Sequence, residues 1–403
     1  MKMKKIYIWG AGYYADHVYS VIDKNACTIE GIIDSDVSKQ GSFWNGILKI
    51  YTPKDLIYLN FDCIIISALQ YEEIEHMCRK LGIPGNKVIA YWKDSESLGL
   101  YESRAIRILK ERHEKEIFAN RLDSAPYEWG LKPVPQIRSA EELLRKIIID
   151  HSSLCRFGDG EFNIMCERGE PWFQNSSESL RNRLIEVISS HISNINIAIA
   201  QNFLHLECYK EAAADEIRAY MSHGTRDEII TFLEEKSTYY DAYVSRPYII
   251  YKNKENAERI FPLFQKIWEE RDVILVEGKY ARFGINNNLL GSAKSIKRII
   301  CPAKGAWDCY DKILESVQIN ASKRDLVCVS LGPAATVLAY DLAREGYQAL
   351  DIGQLDNEYD WYLKGVDRRT AISGKLVAEV AENLNINECD SKEYRSQIVA
   401  EIN

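Results

Sequence analysis

Two carboxylates, Asp159 and Glu161, stand one glycine apart in "SLCRFGDGEF", behind Arg156 and directly after an apolar run. Like charges set so close repel unless the turn is well solvated or something positive sits there. The i, i+2 spacing across a glycine lets both side chains face one point. Hard divalent cations, Mg²⁺ or Mn²⁺, take such oxygens and commonly share their sphere with substrate phosphates. The stretch therefore reads either as a metal site with Asp159 and Glu161 as ligands, or as a solvated turn, for which Asp and Gly are favoured anyway.

Groups that suit a phosphate recur at later strand ends. "VSLGPAATVLAYDLAREG" passes from an apolar strand through Gly332 and Pro333 into a helix, and a helix N-terminus favours anions. "VEGKYARFG" places Glu277, Lys279 and Arg282 beyond a second strand, and "CPAKGAW" places Lys304 beyond a third. Taken singly, each cation also reads as a solvated surface charge. "LDIGQLDNEYDW" gathers Asp351, Asp356, Glu358 and Asp360 after a fourth strand. One of these acids could act as a base or a second metal ligand; the rest read as solvated.

Positioning these groups takes an α/β scaffold. Residues 5–93 alternate short apolar runs ("KIYIWG", "TIEGIIDSD", "FDCIIISA", "KVIAYW") with helical stretches, which predicts a small parallel sheet over 1–93. A charged stretch with Pro126, Pro133 and Pro135 near its end reads as a helical linker over 94–136. The alternation resumes on a larger scale over 137–386, closing on a helix in "SGKLVAEVAENL", and a polar tail follows over 387–403. The fold expected is a small N-terminal Rossmann-like sheet, the linker, and a larger Rossmann-like domain.

The chain has 403 residues, 46% hydrophobic and 27% charged, ordinary values for soluble domains with sizeable cores. A net charge of -8 argues against broad nucleic-acid or anionic-membrane binding. The ten cysteines form no CxxC pair, and Cys63, Cys301 and Cys328 sit inside apolar runs. They read as small buried hydrophobes in a reducing compartment. No apolar run approaches the roughly 18 residues of a membrane span, so a cytoplasmic protein is expected.

Near the start, "GAGYYA" sets Gly10, Gly12 and Ala15 between a strand and a helix, with Asp34 ending the next strand. That is the context of a dinucleotide fingerprint for NAD(P) or another nucleotide. The other reading is a tight strand-to-helix turn that needs glycine sterically and binds nothing. The only Tyr-x-x-x-Lys spacing, Tyr248 to Lys252, lies far away in the chain, and 24 tyrosines make chance a sufficient explanation. The segment resembles the small Rossmann-like accessory domains of bacterial sugar-modifying enzymes.

The blocks "RFGDGEF", "YVSRPYI", "VILVEGKYARFG", "SIKRIICPAKGAWDCYDKIL", "LGPAATVLAYDLAREGYQALDIGQLDNEYDW" and "GKLVAEV" run in order over about 137–385. Together they resemble the GT-D-type glycosyltransferase domain, a bacterial family. The resemblance implies a Rossmann-like sheet that binds a UDP-sugar with a divalent cation, its essential Asp-x-Glu motif falling here on Asp159 and Glu161. Gln354, Asn288 and Gly305 depart from the family pattern of histidine, acid and asparagine at those places, and bear on donor, metal use and activity.

The leading expectation is transfer of a hexose from a UDP-sugar to a hydroxyl of a glycan or glycoprotein acceptor, with Mn²⁺ or Mg²⁺ at Asp159 and Glu161. Arg156, Gly158, Lys279, Arg282, Lys304, Gly332 and Pro333 would bind the donor. Asp351, Asp356 or Glu358 would take the acceptor's proton. Tyr248, Trp307, Tyr359 and Trp361 could stack on uracil or sugar, or be buried core. The alternatives are an NAD-dependent sugar oxidoreductase or epimerase run by Gly10, Gly12 and Asp34, and a non-catalytic nucleotide-sugar scaffold. An extra small domain on an acidic enzyme suits a homodimer.

Overall fold

Most of the apolar runs become strands in the computed structural model of the chain, which describes residues 3–68, 71–94, 103–169, 174–234, 237–377, 380 and 391–402. The chain divides into two units, residues 1–118 with 378–386, and residues 119–377 with 387–403.

The first unit carries β1 (Lys4–Trp9), β2 (Cys27–Ile33), β3 (Phe43–Trp44), β4 (Leu48–Tyr51), β5 (Cys63–Ile66) and β6 (Val88–Ala90) in the order β3-β4-β2-β1-β5-β6. The period of two sends Ile6 and Ile8 to one apolar cluster and Tyr7 and Trp9 to another, so both sheet faces are covered. The antiparallel β3–β4 pair was not foreseen. Its signal was Asn45-Gly46, which takes positive φ at both residues, 48° and 68°, as tight hairpins require.

Gly10 is needed in the first turn on two counts: its φ is +111°, and a Cβ there would lie 2.6 Å from Ser67 Oγ. Gly12 is extended and caps the helix Tyr13–Val21. The Asp34 carboxylate accepts the Ala11 N–H at 2.7 Å and the Asp36 N–H at 2.8 Å. Asp34 thus ties the glycine turn to the end of β2.

The second unit holds β7 (Gln136–Arg138), β8 (Ser153–Phe157), β9 (Ile195–Ile199), β10 (Thr238–Asp241), β11 (Asp272–Gly278), β12 (Ser295–Cys301), β13 (Leu326–Ser330), β14 (Gln348–Asp351) and β15 (Ile398–Glu401). They form one nine-stranded sheet in the order β15-β12-β11-β13-β14-β8-β9-β10-β7, with every neighbour pair parallel. The helices sort into two groups. Asp159–Met165, Glu178–Ile188, Tyr310–Asn320 and Pro333–Arg344 pack among themselves. Ala140–Asp150, Glu255–Ile267 and Leu355–Lys364 do likewise, Phe261 meeting Tyr359 at 4.8 Å between ring centroids. A sheet apolar on both faces needs both groups, one per face.

Three expectations change. The linker helix, Ser103–Glu128, carries Pro126 within it, and its second half packs on the second unit. Tyr127 is buried under the Arg226 guanidinium, 4.5 Å from the ring centroid, while Arg226 also donates to Asp123 and Ser124. The segment expected as a polar tail supplies β15, whose approach buries Tyr394 against Arg298 and lets Gln397 accept from its Nε at 2.7 Å. The strand itself, Ile-Val-Ala-Glu, is a short apolar run inside the otherwise polar tail, and it pairs on one side only, as an edge. Of the closing helix expected over 373–384, residues 373–377 and 380 are not helical, and the remainder lies outside the described residues. Cys63, Cys301 and Cys328 are buried free thiols, as their apolar runs suggest, and burial pushes Cys63 and Cys328 up to about 12.

Candidate active site

β8 and β14 are neighbours at the middle of the sheet, and the chain leaves them for opposite faces. After β8 it enters the helix Asp159–Met165 in one group; after β14 it enters Leu355–Lys364 in the other. Such a divergence opens a crevice at the strands' carboxyl ends, where ligands of open α/β sheets bind. Asp159 and Glu161 stand there, not on the free turn the sequence suggested but on the first turn of a seven-residue helix capped by Gly158. Glu161 folds back and accepts the Gly158 N–H at 2.8 Å. Asp159 is exposed.

Beside Asp159 and Glu161 a part-buried ion pair joins β8 to β14. Arg156, the fourth residue of β8, donates to the Asp351 carboxylate at 2.9 Å and to its carbonyl at 3.0 Å. Gly353 N–H (3.1 Å) and Thr336 Oγ1 (3.3 Å) complete the carboxylate's shell, and Thr336 also donates to the Arg156 carbonyl at 2.8 Å. The Gly332–Pro333 turn, with Gly332 at φ +59°, thereby docks the helix Pro333–Arg344 onto β8. Burial, despite Arg156, holds the Asp351 carboxyl above its usual range. Burial, and then the Asp351 charge, push Glu161 up to about 7. A cation beside these two carboxyls would oppose both shifts.

Gly353 lets the Arg156–Asp351 pair form. Its φ is +47°, and a Cβ would meet Arg156 Nη2 at 2.1 Å. Gly353→Ala is expected to cost about 1–3 kcal/mol from backbone strain alone and to displace Arg156. A urea-unfolding midpoint matching the unsubstituted protein would refute this account.

Several proposed roles do not survive the geometry. Asp351 is 2% exposed and wholly engaged, so it cannot take a proton from an acceptor. Asp356 is buried too, accepting from Gly284 N–H, Asn287 and Lys375. Glu358 is 0% exposed and accepts the N–H groups of Tyr248 and Ile249 at 2.9 and 2.8 Å. Asp360 pairs with Lys375, and Glu277 with Arg298. Arg282, expected on a diphosphate, is buried and donates to the Gly374 carbonyl at 2.7 Å. Acids and cations one residue beyond a strand can turn inward as readily as outward, and the sequence does not tell which. Lys279 and Lys304 are exposed at the carboxyl ends of β11 and β12. Tyr248, Tyr359 and Trp361 are core, whereas Trp307 is half-buried. Gly10, Gly12 and Asp34 belong to the first unit.

The structure also adds residues. Tyr220 donates to the Asp159 carbonyl at 3.5 Å, and burial followed by the Asp159 charge raises its phenol. Burial, then the Asp241 and Asp159 charges, raise Tyr243, with Arg246 and Arg369 opposing. Burial pushes Asp241 itself up to about 6. Tyr243 and Arg246 begin the quoted "YVSRPYI", the one signal that pointed at them. Of the departures, Gly305 takes φ +70°, a conformation asparagine also tolerates, and Asn288 accepts from Tyr359 at 2.8 Å.

Among the described residues, no group of three or more His, Cys, Asp or Glu side chains forms a metal cage. Asp159 and Glu161 do not face one point, as the spacing suggested, because i and i+2 on a helical turn point apart. Each is still an oxygen donor of the kind a hard divalent ion takes singly or in pairs, completing its sphere with water and phosphate oxygens.

A parallel sheet whose neighbouring strands diverge at acids on its carboxyl edge defines an open α/β architecture with a ligand crevice at that edge. Residues 154–380 match the family described as the glycosyltransferase GT-D fold, and the chain belongs to that family. Residues 2–89 match the C2185-like N-terminal family. The chain is 35% identical over 269 residues to a probable glycosyl transferase Gly of Streptococcus gordonii, covering 66% of this chain and 39% of that protein. It is 30% identical over 348 residues to glycosyltransferase GlyD of Streptococcus pneumoniae serotype 4, covering 86% and 41%. It thus spans about two-fifths of the length of these curated relatives. A solved domain of unknown function 1792, described as a distinct glycosyltransferase fold, superposes with TM-score 0.64 at 32% identity, covering 71% of this chain and 100% of that one. A structure described as a new glycosyltransferase from Streptococcus sanguinis also gives 0.64 at 32%, covering 67% and 100%. No helix of the described residues is long and apolar enough to cross a membrane.

Proposed function

We propose that the second unit transfers a hexose from a UDP-sugar to a hydroxyl of a glycan or glycoconjugate, using a divalent cation held by Asp159 and Glu161. The observation that carries this reading is the position of two carboxylates, the exposed Asp159 and Glu161, on the first helical turn at the divergence of β8 and β14. When bound, the cation supplies positive charge to the departing diphosphate. In the reaction the acceptor oxygen bonds to the anomeric carbon as that carbon's bond to the phosphate oxygen breaks. The diphosphate leaves with the electron pair, and the acceptor's proton passes to solvent. Lys279 and Lys304, exposed at the same sheet edge, suit the diphosphate's charge. Arg156 and Asp351 join β8 to β14 and so hold the first turn of the helix in place. Calorimetry with Mn²⁺, with and without UDP, should show uptake of the ion by the full chain; no uptake in either case overturns the proposal.

Glu161 gives the reading a pH signature. The unfolded chain releases this proton near 4.5, whereas the fold holds it until about 7. Stability without cation therefore falls as pH rises through that window, by ~3 kcal/mol for this group at ~1.4 kcal/mol per unit. Asp241, pushed up to about 6, adds in the same direction. Glu161→Gln should flatten the Glu161 share, and Mn²⁺ should restore stability most above pH 7. Urea midpoints at pH 5 and pH 8 measure both effects, and a midpoint that rises with pH contradicts them.

A further inference from the structure

A cleft of about 640 Å³ opens beside the loop that leaves β12 at the sheet's carboxyl edge, three residues beyond Lys304. Trp307 and Tyr310 form one wall, their ring centroids 4.6 Å apart at 43°. Both rings are fixed by hydrogen bonds. The Trp307 indole N–H donates to Ser179 Oγ at 3.0 Å and its backbone N–H to Gln174 Oε1 at 2.9 Å. The Tyr310 hydroxyl donates to Asp341 Oδ2 at 2.6 Å. The opposite wall is the helix Glu178–Ile188, which packs against the helix carrying Asp159 and Glu161.

The lining chemistry selects a ligand class. Two cations, Arg183 and Lys312, face three carboxylates, Glu186, Asp308 and Asp311. Arg183 is already paired with Glu186 and Asp341. A balance of one negative charge disfavours a diphosphate, which needs a surplus of cations. Interspersed carboxylate, amide and ammonium groups around a rigid aromatic plane suit a neutral pyranoside instead. The C–H face of such a ring stacks on an indole, while its hydroxyls exchange hydrogen bonds with side chains such as Asn182 and Asp311. Because both aromatic rings are held before any ligand arrives, binding forfeits little side-chain entropy.

We propose that this cleft is the acceptor subsite and takes a neutral pyranoside stacked on Trp307, an inference that rests on the transferase reading for its role in the reaction. The test is saturation-transfer NMR on the full chain without metal or UDP-sugar. The probes are the methyl β-pyranosides of glucose, galactose and N-acetylglucosamine. At least one should receive saturation on its ring protons. That signal should vanish in Trp307→Ala and fall at least fivefold in Asn182→Ala, a change on the exposed helix face that decides the matter if the tryptophan variant fails to fold. Silence from all three probes, or signals that survive both substitutions, overturns the proposal. So does displacement of the glycoside by added UDP, which would give the cleft to the donor. The transferase reading is judged separately by manganese and UDP uptake, so the two failures are distinguishable.

Discussion

Asp159→Ala is expected to lower UDP release from a UDP-sugar by about 100- to 1,000-fold, the usual cost of deleting a group that stabilises transition-state charge. The expectation is sharp because the fold has little use for this side chain. Asp159 is exposed, and among the described residues its carboxylate has no hydrogen-bond or ion-pair partner given by the structure. The substitution should therefore leave the melting temperature within a degree or two, and the lost activity is chemical. Asp159→Asn keeps the shape, removes the charge and should be nearly as slow. Release of UDP at the unsubstituted rate by a folded Asp159→Ala protein would remove the basis of the proposed function. Glu161→Ala is a less clean test, since it also deletes the acceptor of the Gly158 N–H.

Lys375→Met is expected to destabilise the protein by about 3–5 kcal/mol, the range for breaking a buried ion pair on one side. Lys375 is 1% exposed, and its ammonium meets Asp356 at 2.5 Å and Asp360 at 2.6 Å. Without it, two interior carboxylates face each other uncompensated. The lysine also closes a clasp: Gly374 O accepts from Arg282, and the Leu376 N–H donates to Tyr280 O at 2.9 Å. Together these contacts lash residues 374–376 to the loop after β11. A triple variant that adds Asp356→Asn and Asp360→Asn should recover much of the loss, because no buried charge is then left alone. Equal urea midpoints for Lys375→Met and the unsubstituted chain would show that the carboxylates are not buried.

The sheet was legible because its signal is local. "CIIIS", "LVCVS" and "VILVEG" are short apolar runs bounded by turn residues, and each became a fully covered parallel strand. β7 and β10 were not legible, because Gln-Ile-Arg and Thr-Tyr-Tyr-Asp are not apolar runs. Within the site, the acidic pair was readable from spacing, since Gly158 and Gly160 bracket Asp159. The fate of the other acids was not. Asp356, Glu358 and Asp360 share one helical segment, and only tertiary packing turns them all toward Lys375 or the backbone of 248–249. Tyr220 escaped notice because its proximity to Asp159 is made by chain folding across 61 positions.

The nine-stranded sheet is bounded by β7 and β15, three and four residues long, the first running from glutamine to arginine and the second ending in glutamate. Margins this brief offer a second molecule few amide and carbonyl partners. Copies of this protein that meet at high concentration therefore find little along the margins of the nine-stranded sheet on which to pair strand to strand.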